Sequence, residues 1–196
     1  MANFVHLRTH SEYSLKDGIL SNEQIIQNTL NNGGDTATIS DLNNMINAVK
    51  FYEKSIDNNI KPIIACDVFI DNFVEYEDLG IELDEKQKKQ DQKNPPHLLL
   101  LAKNNEGYKQ IMKLISRAYI ENEVVGIPRI KKEWLGDTSN IIALSGGQYG
   151  EIESYIKQDS IESAKTVANI YKEYFPFDNL FLELHRDDNA NETKLV

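Results

Sequence analysis

Short apolar runs alternate along the chain with longer stretches in which apolar residues recur every three or four positions. The short runs predict buried β-strands at residues 4–7, 36–39, 62–64 with 68–70, 97–102, 141–144 and 180–184. The longer stretches predict amphipathic α-helices, each with one face directed at a core. The chain therefore alternates between the hydrophobic pattern of buried β-strands and that of amphipathic α-helices.

Four helices are predicted from this spacing. The first begins at Ser21, which forms the pattern of a capping box with Gln24, and it ends at the Gly33-Gly34 pair. We expect each helix to bury one apolar stripe, made in order by Ile25, Ile26 and Leu30; by Met45, Ala48, Val49, Tyr52 and Ile56; by Tyr108, Ile111, Leu114, Ile115 and Ala118; and by Ile161, Ala164, Ala168 and Tyr171.

Strands that alternate with helices and are almost continuously apolar predict an α/β fold with a mainly parallel sheet, covered on both faces. Right-handed crossovers leave two architectures, an open doubly wound sheet and a closed barrel. No G-x-G-x-x-G motif follows the first strand, and polar residues instead follow several strands, namely Arg8, His10, Asp41, Asp67 and Ser145. This distribution favours the barrel, in which loops at one end share a site.

Residues 1–196 are interpreted as one domain with an insertion at 71–94. The insertion holds eight acidic residues and four lysines and interrupts the βα rhythm between the third and fourth strands. Its composition fits a solvated segment, and a partner-docking loop is the alternative. Residues 189–196 resemble the start of another helix, so we expect the barrel to be truncated at its C-terminal end.

Composition narrows the class of protein. The net charge of -10 argues against a domain that grips a nucleic-acid backbone. No apolar run is long enough for a membrane span, and the first residues lack the pattern of a secretory signal. Because Cys66 is the single cysteine, no internal disulfide can form. We expect a cytoplasmic protein that makes no contact with a membrane.

The densest group of chemically capable side chains lies at residues 6–18. His6 and His10 lie four positions apart and would share one face of a strand, and Asp17 could return from the following loop to begin a metal site. Arg8 lies between the two histidines on that face, however, and a guanidinium repels a cation and suits a carboxylate or a phosphate. Structural histidines are the alternative.

Several blocks of the sequence resemble a known family. FVHLRTHSEYSLKDG (residues 4–18) resembles FVHLxxHSxYSLLDG, which opens the PHP (polymerase and histidinol phosphatase) domain at the N-terminus of bacterial DNA polymerase III alpha subunits. Further blocks follow in the same order. ISDLNNM is similar to TDHGNM of the family, AVKFY to AVEFY, KPIIACDV to KPIIGCEV, and ALSGG to ALSGC. HLLLLAKN is identical to the corresponding block of the family. The resemblance covers essentially the whole chain.

The resemblance implies a TIM-like (β/α)7 barrel in which metal-binding members hold about three cations for phosphoester hydrolysis. This chain departs from that pattern at several ligand positions, where it has Arg8, Leu42 and Gly147, and Asp67 is shorter than the family's Glu. Asp187 falls about where metal-binding members place another His. The positions that keep a plausible donor are His10, Asp17, Asp41, Asp67 and His97.

These departures lead to the hypothesis that the domain binds no catalytic metal cluster and catalyses no hydrolysis. Arg8 would replace the charge of a cation by pairing with Asp41 or Asp67. We expect no cofactor in this chain, although the residual positions are of the kind that take Zn or Mn. The resemblance then implies a structural platform that packs on the rest of the alpha chain and contributes to docking the proofreading exonuclease. The parent chain would be the DNA-directed DNA polymerase, with its own Mg and its own contacts with DNA.

Two other functions stay open. The first is an active metal-dependent phosphoesterase, acting as a 3'-5' exonuclease or a pyrophosphatase. The second is a free-standing phosphatase similar to the histidinol phosphatases, for which an intact H-x-H pair would be expected in place of Arg8 and His10.

Overall fold

The computed structural model describes residues 4–72, 80, 85, 89, 92–176 and 178–185. Its helices are α1 (Asn22–Asn31), α2 (Ala48–Asp57), α3 (Asn105–Glu121), α4 (Glu151–Lys157) and α5 (Ile161–Tyr174). Its strands are β1 (Thr36–Ile39), β2 (Lys61–Phe69), β3 (His97–Ala102), β4 (Glu123–Val124), β5 (Ile127–Pro128), β6 (Ile141–Leu144) and β7 (Leu180–Phe181). Within these described residues, no helix combines the length and the apolar character that crossing a membrane requires.

Five strands form one sheet in the order β1-β2-β3-β6-β7, and β4 and β5 form a separate hairpin. The pairs β1-β2 and β6-β7 are parallel, but β3 is antiparallel to both of its neighbours. The prediction of a mainly parallel sheet is therefore wrong. Phe69, at the end of β2, pairs with His97, at the start of β3, so the connection between them returns at the same end of the sheet.

The closed barrel predicted from the sequence is not present in the described residues, where the sheet stays open with β1 and β7 at its edges. The expected strand at 4–7 forms no ladder, and 180–184 shortens to Leu180–Phe181. The expected runs at 62–64 and 68–70 are parts of one strand, β2. Most of the 71–94 insertion, all of 189–196 and Asp187 lie outside the described residues.

Apolar side chains cover both faces of β3. Leu98 and Leu100 join the main core, which packs under α3, α4 and α5 and includes Ile111, Ile115, Ile141, Tyr155, Val167 and Tyr171. Leu99 and Leu101 face the other way and pack with Ala65, Leu144 and, from the N-terminal segment, Leu7. The continuous apolar run of this strand therefore reflects burial on two faces, as the pattern predicted.

Helix α1 begins with the predicted capping box, in which Ser21 accepts a hydrogen bond from the backbone of Gln24 and the Gln24 side chain accepts one from the backbone of Ser21. The buried stripe of α2 differs from the prediction. The expected Ala48 is buried, and Phe51 and Ser55 are buried with it, whereas the expected Val49, Tyr52 and Ile56 are more than half exposed. Both sets are spaced by three and four residues, so the hydrophobic periodicity is consistent with burial of either of two helix faces about 100° apart.

We predict that Phe51→Ala lowers the free energy of unfolding by about 3–5 kcal/mol, because Phe51 is fully buried and its removal leaves a cavity. Tyr52→Ala, one residue along the same helix, should change it by only about 0.5 kcal/mol, because Tyr52 is 52% exposed. Urea unfolding of both variants measures the difference. Equal losses would show that the helix buries the other face.

Candidate functional site

Polar side chains from four parts of the chain meet at one end of the sheet. Arg8 and His10 come from the N-terminal segment, Asp67 from near the end of β2, and Glu183 from the residues after β7. His97 joins them because β3 runs antiparallel to β2, which places its first residue beside the end of β2. The reversed direction of β3 is therefore a condition for the site.

The guanidinium of Arg8 lies between two carboxylates. Its Nε and Nη2 donate to the two carboxylate oxygens of Glu183 at 2.9 and 2.7 Å, and its Nη1 donates to Oδ2 of Asp67. The side chain of Asp67 is 1% exposed and that of Glu183 is 12% exposed. This paired geometry is the strong form of an arginine-carboxylate interaction. The predicted pairing of Arg8 with Asp67 is confirmed.

Three histidines surround the two carboxylates. His97 places Nδ1 3.0 Å from Oδ2 of Asp67, and His10 places Nε2 3.2 Å from the same oxygen. The other ring nitrogen of His10 lies 3.0 Å from Asp17. His185 places Nε2 2.8 Å from Oε1 of Glu183. We call these residues, with Arg8, Asp67 and Glu183, the Arg8 network.

The network shifts the pKa values of its members. Burial would raise the pKa of Asp67, but the contacts with His10 and His97 and the charge of Arg8 outweigh it and hold that pKa well below its usual range. Burial would likewise raise the pKa of Glu183, but the contacts with Arg8 and His185 outweigh it and lower that pKa to about 2. Burial would lower the pKa of His10, but Asp67 and Asp17 raise it. The carboxylates are thus held in their charged forms.

The carboxylate of Asp41 binds partners other than the Arg8 network, although the backbone of Asp41 accepts a hydrogen bond from that of Asp67 at 3.2 Å. The Asp41 carboxylate accepts hydrogen bonds from the backbone N–H of Ser11 at 2.6 Å and from the hydroxyls of Ser11 and Ser14 at 2.9 Å. These bonds anchor the 3-10 turn Glu12–Ser14. The alternative pairing of Arg8 with Asp41 is therefore wrong. The structure brings together four of the five predicted positions, His10, Asp17, Asp67 and His97.

Sequence reasoning missed the parts that Glu183, Glu153 and His185 play here. Ser145, just after β6, donates its hydroxyl hydrogen to Glu153 of α4 at 2.5 Å and accepts the backbone N–H of Glu183 at 3.0 Å. Ser145 therefore connects α4 to the segment after β7, in which Glu183 binds Arg8. A carboxylate inside the apolar run 180–184 was the available signal for Glu183.

Gly147 lies against the ring of His185. Its φ is +54°, in the left-handed region that favours glycine, and a Cβ at this position would lie 2.6 Å from Cε1 of His185. Any larger residue would displace the ring, so the histidine fills the space that a side chain at position 147 would need.

A cleft of about 650 Å³ opens over the Arg8 network. Its walls come from the N-terminal segment, the end of β2, the start of β3 and the length of α4 with the turn before it. They include Arg8, His10, Lys16, Asp17, Leu42, Asp67, Lys93, His97, Gln148, Tyr149 and Lys157. Across residues 4–72, 92–176 and 178–185, no three His, Cys, Asp or Glu side chains are arranged to hold a metal ion.

Comparison with known proteins identifies the class. The family model of the PHP domain matches residues 6–187, and the chain therefore belongs to the PHP domain family. It is homologous to the N-terminal region of DNA polymerase III alpha subunits. Identity is 33% over 190 residues with that subunit from Vibrio cholerae and 35% over 191 residues with that from Escherichia coli. Each match covers 96% of this chain and 15% of the relative, so the chain spans only a small part of those proteins.

One solved structure shows a partial likeness. It is a candidate metal-dependent phosphoesterase from Bifidobacterium adolescentis, with a TM-score of 0.40 and 12% identity, and the match covers 61% of this chain and 34% of that one. A likeness of this degree supports no statement about activity.

We predict that Arg8→Met lowers the free energy of unfolding by about 3–5 kcal/mol, because it leaves two buried carboxylates without their cation. Lys165→Met, which removes an exposed partner of Glu162, should cost about 0.5 kcal/mol. Urea unfolding near pH 7 measures both. A loss for Arg8→Met no larger than that of the control would contradict the central position of Arg8.

A second prediction concerns pH. Burial raises the pKa of Glu153 from about 4.5 to about 7, against the opposing effect of the Ser145 hydroxyl, so the native state favours the protonated carboxyl. The contribution of the protonated Glu153 to the free energy of unfolding is therefore fully present below the unfolded-state pKa of about 4.5. It is lost as the pH rises through the folded-state pKa of about 7. At about 1.4 kcal/mol per pKa unit, Glu153→Gln should stabilise the protein by on the order of 3 kcal/mol at pH 8 and by little at pH 4.5.

Urea unfolding at the two pH values measures this difference, and Glu162→Gln, at an exposed position of α5, serves as the matched control. A gain from Glu153→Gln that does not depend on pH would contradict the assignment.

Proposed function

We propose that this chain is the N-terminal PHP domain of a DNA polymerase III alpha subunit, and that it acts as a structural and protein-binding platform without a catalytic metal cluster. The matches to alpha subunits run over 96–100% of this chain and over 15–16% of the relatives, which supports a domain of a longer protein. DNA polymerase activity, its Mg and its contacts with DNA would belong to the rest of the parent chain.

The contact that carries the proposal is the guanidinium of Arg8 between Asp67 and Glu183. A guanidinium has no lone pair to offer a metal and stays protonated, so it supplies the positive charge that a cation would otherwise bring to these carboxylates. Each cation of a cluster needs about four or more donors. The side chains present do not suit such a cluster, and no reaction step is assigned to one.

Two other positions support the same proposal. Leu42 is 8% exposed, lines the cleft and offers no donor where the family pattern has His. Gly147 offers none where the pattern has Cys, and the ring of His185 occupies the adjoining space. Arg8, Leu42 and Gly147 therefore give three of the family's ligand positions a group that cannot hold a metal.

We further propose that the open sheet is completed into a (β/α)7 barrel by more of the parent chain. Large apolar side chains are exposed at Phe4, Leu15 and Ile19 in the N-terminal segment and at Phe181 and Leu182 in and after the edge strand β7. Additional strands and helices between the two edges would cover such residues.

Docking of a separate proofreading exonuclease is the protein-binding role that the family resemblance implies. The net charge of -10 is better suited to a protein partner than to a DNA backbone. A DNA polymerase of this kind would work in the cytoplasm, which is where we propose that this protein acts.

A metal-dependent phosphoesterase is the second candidate. The observation in its favour is that four donor residues, His10, Asp17, Asp67 and His97, meet at the floor of the cleft. A single cation bound by them would compete with Arg8 for Asp67.

One experiment separates the two candidates. We expect the purified full protein to contain no stoichiometric metal in the PHP domain by elemental analysis. The unsubstituted protein, which has Arg8 and His10, should show no phosphatase, pyrophosphatase or exonuclease turnover that depends on Mn or Zn. A parallel sample dialysed against EDTA gives the background. Stoichiometric metal together with metal-dependent turnover would overturn the platform and support the phosphoesterase.

A further inference from the structure

Glu153 of α4 carries a buried carboxyl group that lies outside the Arg8 network. The residue is 5% exposed, and its Oε1 accepts the hydroxyl hydrogen of Ser145 at 2.5 Å. Its Oε2 is buried and has no hydrogen-bond partner among the described residues. A Cβ at Gly150 would lie 2.5 Å from this oxygen, so the backbone encloses it on that side. Ser145 is thus the side chain that fixes the carboxyl group in place.

Two titratable groups of the residues after β7 face Glu153. The charge of Glu183 opposes ionisation of Glu153, whereas the ring of His185 favours it. Arg8 pairs with the far side of this segment, where its guanidinium binds both carboxylate oxygens of Glu183. The closest charged neighbour of Glu153 in this segment is therefore a second carboxylate.

The helices around Glu153 bring no cation to it. Lys157, four residues further along α4, donates to the backbone carbonyl of Gln148 at 2.6 Å. Tyr171 of α5 donates its hydroxyl hydrogen to Glu151, the other buried carboxylate of α4, at 3.0 Å. Across residues 4–72, 92–176 and 178–185, no ion pair joins Glu153 to a lysine or an arginine. An ionised Glu153 would therefore be a buried charge without a counter-charge.

Ser145 connects Glu153 to the segment after β7. While its hydroxyl hydrogen bonds to Glu153, its oxygen accepts the backbone N–H of Glu183 at 3.0 Å. Few other contacts hold this segment, because β7 has only two residues, with Phe181 51% exposed, and Leu182 after it is 69% exposed. A segment held by so few bonds can open locally without unfolding the rest of the protein.

We propose that Glu153 is a proton-controlled latch on the residues after β7. While its carboxyl group carries a proton, Ser145 holds the backbone of Glu183 and keeps the Glu183 side chain on Arg8. When the proton leaves, the buried carboxylate repels Glu183 and moves towards water, and the segment is released. Arg8 then keeps Asp67 as its partner. The Arg8 network therefore has a closed and a released form, and the pH selects between them.

The pKa of Glu153 sets the pH range of the latch. Burial raises that pKa from about 4.5 to about 7 in the closed form, and we expect release to return it to its ordinary value. The closed form then binds the proton more tightly than the released form, so it is favoured at low pH. For these two pKa values, the ratio of closed to released form falls about tenfold between pH 6 and pH 8.

Hydrogen exchange of the full protein at pH 6 and pH 8, corrected for the intrinsic pH dependence of amide exchange, measures the release. We expect the protection of the Glu183 amide to fall about tenfold at the higher pH. At both pH values this amide should be less protected than that of Ile115, which lies on the buried face of α3 and exchanges only when the protein unfolds.

Three variants test the residues. Glu153→Gln keeps an acceptor for Ser145 but cannot ionise, so it should remove the tenfold difference between the two pH values. Glu162→Gln makes the same change at an exposed position of α5 and should keep the difference. Ser145→Ala removes the acceptor of the Glu183 amide and should lower its protection about fivefold already at pH 6.

Three results would overturn the latch. The first is a Glu183 amide as strongly protected as that of Ile115, because the segment would then not open on its own. The second is a pH dependence that persists in Glu153→Gln, because another group would then control the release. The third is loss of the pH dependence in Glu162→Gln, because the effect would then not be specific to Glu153.

Discussion

The pairing of Arg8 with Asp67 and Glu183 is the interaction on which the site depends. It joins residues 59 and 175 positions apart and so ties the N-terminal segment to the end of β2 and to the residues after β7. Two carboxylates buried this deeply would each cost several kcal/mol if unpaired, a cost that Arg8 and three nearby histidines offset. The network thus forms the polar site at this end of the sheet and links the segments that meet there.

The direction of β3 decides which residues can take part. Because β3 starts where β2 ends, His97 enters the network through its first residue, and the connection between the strands begins and ends beside the cleft. Asn72 and Lys93, at the two ends of that connection, both line the cleft. In a parallel arrangement His97 would lie at the opposite end of the sheet, about 20 Å away for a strand of this length.

Local rules recovered the parts of the fold that depend on local chemistry. The bounds of β1, β3 and β6 and the capping box of Ser21 follow from residue type and spacing, but the partner of Arg8 stayed open between Asp41 and Asp67. The direction of β3 cannot be predicted in this way, because a strand that is apolar on both faces has the same pattern in either direction. The buried face of α2 cannot be predicted either, because two stripes of equal period compete and only packing selects Phe51 over Tyr52.

The carboxylates show why candidate ligands are hard to rank from sequence. Asp41 and Asp67 both follow or end buried strands and both are 1% exposed, yet one anchors a turn through two serines and the other binds a guanidinium. What separates them is the partner that the fold delivers, not residue type or burial. The same holds at Gly147, where a missing side chain is matched by the ring of His185, which in turn binds the Glu183 that holds Arg8. Through these contacts Arg8 supplies a positive charge to two buried carboxylates that would otherwise lack one.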